Sequence, residues 1–70
     1  MADDDPLTLA QRRVGDAQKI VAEQKRRIAG LRAAGSSTFD AVRALSAFES
    51  NLGLFMKHRD TLLSAKRRRW

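Results

Sequence analysis

Leu45-Ser46-Ala47-Phe48-Glu49-Ser50-Asn51-Leu52-Gly53-Leu54-Phe55-Met56 is the stretch whose reading decides the fold. Its bulky apolar residues recur as Leu45, Phe48, Leu52 and Phe55, then Leu62 beyond it. That is the three-and-four spacing of a helix that buries one stripe. The spacing predicts a helix over about 38–66, with Val42, Leu45, Phe48, Leu52, Phe55, Met56, Leu62 and Leu63 on the stripe. This is wider than a two-position seam, and the extra width is what a bundle helix needs rather than a lone two-stranded hairpin.

Just upstream, Ala33-Ala34-Gly35-Ser36-Ser37 reads as a stop and a tight turn. Gly35 suits the left-handed position after a helix end, and Ser36 or Ser37 can cap the next helix, with Asp40 three residues after Ser37. The preceding helix is expected over about 6–34. Asp5 is its natural N-cap with Pro6 at the first helical position, while Thr8 and Gln11 offer a competing capping box. Heptads then run without interruption: Leu7, Val14, Val21 and Ile28 in one core position, Ala10, Ala17, Gln24 and Leu31 in the other. Glu23 precedes Arg27 by four residues, a correctly oriented helical ion pair.

A turn over 35–37 makes the two helices antiparallel. Counting outward from Gly35 sets Gln24 opposite Phe48, Ala17 opposite Phe55 and Ala10 opposite Leu62, so small residues face large ones. Val21 meets Leu52 and Ile28 meets Leu45. Gln24 and Arg59 interrupt the stripe, the latter opposite Val14. Two readings stand for them: they snorkel or hydrogen-bond at the edge of the core, or they fix register and oligomeric state.

The run Ile20 to Leu31, the Gly35 turn, Leu45-Ser46-Ala47-Phe48-Glu49 and His58-Arg59-Asp60-Thr61-Leu62 together resemble a group of short, uncharacterised bacterial helical-hairpin proteins. The shared pattern is I-x-x-Q-x-x-x-I-x-x-L, a glycine-polar turn, L-x-x-F-E and H-R-D-x-L, over roughly residues 14–65. Gly30 stands where many of that group have a charged residue, and the arginine-rich tail is this chain's own. The resemblance implies the hairpin and carries no functional residues.

Seventy residues allow one small domain, and chains this short usually need disulfides, a metal or a partner. There is no cysteine and only one histidine, His58, which leaves a partner chain. No secretory signal or membrane segment is expected, since the longest bulky apolar run is Leu54-Phe55-Met56. The cytoplasm is then the default compartment. The formal charge of +6 is unevenly spread. Asp3, Asp4 and Asp5 lie at one end and Lys66, Arg67, Arg68 and Arg69 at the other, while the segment between carries ten basic and five acidic residues. Residues 1–4 read as a disordered acidic lead, 5–66 as the hairpin and 67–70 as a basic tail.

Little here points to chemistry. His58-Arg59-Asp60 spells the kinase catalytic-loop tripeptide, but the glycine-rich loop, strand lysine and metal-binding aspartate of a kinase are missing. On a helix, Asp60 would instead sit near Lys57, one turn back. The serines lack a histidine at a telling spacing, and a two-helix unit offers no deep pocket. The expectation is therefore a non-enzyme without cofactor, metal or small-molecule substrate.

The fold expected is all-α: an antiparallel, coiled-coil-like two-helix hairpin that dimerises into a four-helix bundle. The leading function is a protein–protein interaction or regulatory module, homodimeric or bound to a helical partner, acting through Phe48, Leu52, Phe55, Met56, Leu62 and Leu63. The alternative is RNA or DNA binding by a basic hairpin dimer. Lys25, Arg26, Arg27, Arg67, Arg68 and Arg69 would then meet phosphates and Trp70 would stack on a base. Against it stands the plain reading of that tail as a solvated helix end whose cations suit the helix dipole.

Overall fold

The computed structural model describes residues 5–68. Two α-helices, α1 (Pro6–Ala33) and α2 (Phe39–Arg67), fold into an antiparallel hairpin. Residues 1–4, together with Arg69 and Trp70 of the basic tail, lie outside the described residues.

The ends of α1 follow from local chemistry. The Thr8 backbone N–H donates to Asp5 Oδ1 at 2.7 Å, and Asp5 has the extended backbone of an N-cap. Pro6 occupies the position where its missing N–H costs nothing. With Asp5 in that role, the Thr8–Gln11 alternative falls inside the first turns of the helix. At the other end Gly35 has φ +74°, its N–H donating to the Arg32 carbonyl at 3.1 Å and the Ser36 N–H to the Leu31 carbonyl at 2.9 Å. These two bonds make a Schellman turn around a left-handed glycine, and they satisfy carbonyls that the helix end would otherwise leave bare.

The start of α2 differs from the expected serine cap. Thr38 is the N-cap, with no side-chain capping bond, and Ser37 Oγ accepts only a long 3.4 Å bond from the Phe39 N–H. Thr38 has ψ 3° instead of an extended backbone, so its hydroxyl is not turned back over the first N–H groups. Asp40 still lies in the first turn, where its charge favours the positive end of the helix dipole.

The packing is lopsided. Among the described residues, the buried ones are Ala10, Val14, Ala17, Val21 and Ile28, every one of them on α1, while α2 buries none completely. Small and β-branched side chains on α1 are roofed over by the larger Leu and Phe side chains of α2. Those reach past them, and their outer edges stay wet. Leu7, Gln24 and Leu31 of the expected α1 core positions are half-buried.

The product is a slab of 56 × 24 × 13 Å with a radius of gyration of 16.2 Å. A compact globule of this length would have a radius near about 11 Å. Its one-helix thickness leaves two broad faces of the seam open. No described helix is long and apolar enough to cross a membrane.

Candidate interaction faces

Helical spacing sorts the exposed and half-buried apolar residues onto the two faces. On one face, α1 contributes the row Leu9, Ile20 and Leu31, eleven residues apart, which is three helical turns. Ile20 is 44% exposed and lines a cleft of about 130 Å³ with Ala17, Phe48, Asn51 and Phe55. A neighbouring groove on this side joins Arg27, Leu31, Ala44 and Phe48.

Across the seam, the corresponding α1 row is Gln11, Gln18, Lys25 and Arg32, polar and exposed throughout. There α1 adds only the small Ala22 and Ala29, and the large apolar groups come from α2: Val42, 44% exposed, and Met56, 37% exposed, beside half-buried Leu45 and Leu63.

The residues read from the sequence as one association face are thus divided. Phe48, Leu52, Phe55, Leu62 and Leu63 are half-buried against α1, and Met56 opens onto the polar-edged face. The sequence reading missed Ile20, because it sits one helical row off the heptad positions. Its signal was the eleven-residue repeat with Leu9 and Leu31. Leu54 and Phe39 are each 66% exposed, Leu54 at the outer edge of the Ile20 side and Phe39 on the side of α2 away from the seam. The Phe39 ring instead lies under the Arg43 guanidinium, 5.7 Å from its centroid.

Both polar interruptions resolve at the edge of the core. Gln24 Nε2 donates across the seam to the Ala41 carbonyl at 2.8 Å. Arg59 turns back on its own helix, its Nε and Nη2 donating to Asp60 Oδ1 at 3.1 and 3.0 Å. Asp60 therefore pairs with Arg59, while Lys57 lies one turn back as the spacing predicts. A lysine one turn back must stretch along the helix, whereas the arginine fork folds onto its neighbour while its stem covers apolar surface.

The basic residues do not converge. Lys25, Arg26 and Arg27 are exposed, but successive helical positions fan out around α1. Arg67 and Arg68 are exposed at the far end of α2, roughly 30 Å along the axis from Lys25 at 1.5 Å per residue. The basic line that the helix does assemble is Arg12, Lys19 and Arg26, at seven-residue intervals on the outer side of α1. At that far end Asp5 and Lys66 border one cleft with Pro6, Leu7, Leu62 and Ala65. The Thr8 N–H, helped by the Thr8 side chain and the Lys66 charge, holds the Asp5 carboxyl below the usual carboxylate range.

His58 is exposed on α2, and among the described residues no group of three or more His, Cys, Asp or Glu is placed to hold a metal ion. Compared with protein-family models, with curated proteins and with solved structures, the chain matches none.

Proposed function

We propose that the hairpin is a non-enzymatic interaction module that works by associating with a second copy of itself through its apolar side. The observation that carries this reading is the half-finished core. Helix α2 buries no residue completely, although it holds all the Phe side chains and most of the Leu. Amphipathic helices whose apolar stripes are only half covered gain most by adding another layer, and a four-helix bundle is the simplest way to add it. Sedimentation equilibrium at low and moderate salt tests this. A mass of twice 7.8 kDa that does not respond to salt is expected; a folded monomer at every concentration overturns the reading.

The basic excess supports a second reading, binding of RNA or DNA along α1. Between Pro6 and Ala33 the helix carries seven basic and two acidic residues. Such binding would weaken steeply as salt is raised. Fluorescence anisotropy with a labelled duplex at two salt concentrations tests it, and an affinity indifferent to salt sinks it.

A further inference from the structure

The two faces are not equivalent, and the symmetry of one of them says which is covered and how. A two-fold dimer needs a self-complementary surface, in which residues on one side of the axis meet their counterparts from the other side. In two stacked antiparallel hairpins, a two-fold lying in the interface and crossing the helices sets α1 antiparallel to α1 of the second copy, and α2 likewise to its own counterpart.

Such an axis demands rows that read the same in both directions about one level. Leu9, Ile20 and Leu31 meet this demand about Ile20, which stands at the middle of Pro6–Ala33. On α2, Phe48 and Phe55 lie nearly equally spaced on either side of Asn51. Both centres fall at the same level, since Ile20, Asn51, Phe48 and Phe55 line a single cleft. On the opposite face α1 offers no large apolar side chain to meet a second copy, only Ala22 and Ala29 among Gln11, Gln18, Lys25 and Arg32.

We propose that two copies of this chain join through the Ile20 face about a two-fold axis passing by Ile20 and Asn51. This rests on the self-association reading above and adds its surface and symmetry. Ile20 then packs on Ile20 of the second copy, Leu9 on Leu31, and Phe48 on Phe55, an aromatic pairing that gains beyond its area. Asn51 lies beside the axis, where its amide and that of the second copy can bond each other.

The exposed area agrees with this occupant. The chain exposes 5508 Å², roughly 1,100 Å² more than a compact monomer of its mass would. A standard interface removes about 800 Å² from each partner, so one such contact accounts for most of the excess. The same axis sets Arg13 level with Arg27 of the second copy and Asp16 level with Glu23, so each like pair is relieved only by the opposite charges one helical turn away.

The test compares Ile20→Glu with Met56→Glu in the full chain by sedimentation equilibrium, with helicity followed by circular dichroism. Ile20→Glu is expected to halve the mass, while Met56→Glu stays dimeric. The reverse pattern would overturn the assigned face while leaving self-association intact; a monomeric wild type would overturn both. Should Ile20→Glu fail to fold, Asn51→Cys decides, since the chain has no other cysteine. Mild oxidation should link two Asn51→Cys chains into a covalent dimer, with Ser50→Cys on the outer side as the control. A dimer in which Asn51→Cys links no better than Ser50→Cys would rule out this axis.

Discussion

The Gln24 amide donates to the carbonyl of Ala41, 2.8 Å away and seventeen residues on, and so ties α1 to the first turn of α2. It is a part-buried side-chain bond that fixes one helix against the other. Gln24→Glu replaces the donor by a carboxylate facing a carbonyl oxygen, and it should lower stability at pH 7 by about 1–3 kcal/mol. The lost donor returns when the new carboxyl is protonated, so the difference from wild type should shrink between pH 7 and pH 4. Thermal melts at the two pH values check this; an unchanged difference would mean that the bond contributes nothing.

The Asp5 cap predicts the opposite dependence on acid. Its folded carboxyl titrates below the ordinary value of about 3.9, chiefly because the Thr8 N–H bonds the charged form. The stabilisation it provides is fully present above that ordinary value and is lost as pH falls through the lower, folded one. Asp5→Asn keeps a good capping side chain that does not titrate. The gap in melting temperature between wild type and Asp5→Asn should therefore shift against wild type on moving from pH 7 to pH 2.

Two glycines should respond to alanine with opposite signs. Gly35 adopts φ +74°, where a Cβ is strained, and Gly35→Ala should cost about 1 kcal/mol. Gly30 is helical, and a Cβ there would meet nothing within 4 Å. Gly30→Ala should accordingly stabilise by about 1 kcal/mol, the difference in helix propensity. Urea titrations resolve both changes.

Neighbouring leucine and phenylalanine on α2 should also differ sharply. Leu54 is 66% exposed, so Leu54→Lys should leave stability within about 0.5 kcal/mol. Phe55→Asp puts a charge beside buried Ala17 in the cleft where Ile20 and Phe48 also meet, and it should lower the melting temperature well below that of Leu54→Lys. Equal melting temperatures would contradict the seam.

Much of this architecture was legible in the order of residues because its causes are local. Asp5-Pro6 caps α1 through contacts within four residues, and Gly35 ends it through a conformation that only glycine adopts cheaply. The three-and-four spacing of Val14, Ala17, Val21 and Ile28 marked the buried stripe of α1, since helical geometry places those residues on one side whatever surrounds them.

The tertiary structure decided what depends on distance through space. Whether Ser37 or Thr38 caps α2 turned on the backbone angles with which the chain leaves Gly35. Arg59 chose Asp60 over any more distant partner because the edge of the seam left room for its guanidinium to fold back. Ile20 became part of a cleft only when Phe48 and Phe55 were brought beside it from the other helix. Periodicity says which residues share a face of one helix, but a face shared between two helices depends on their register, and only the packed hairpin sets that.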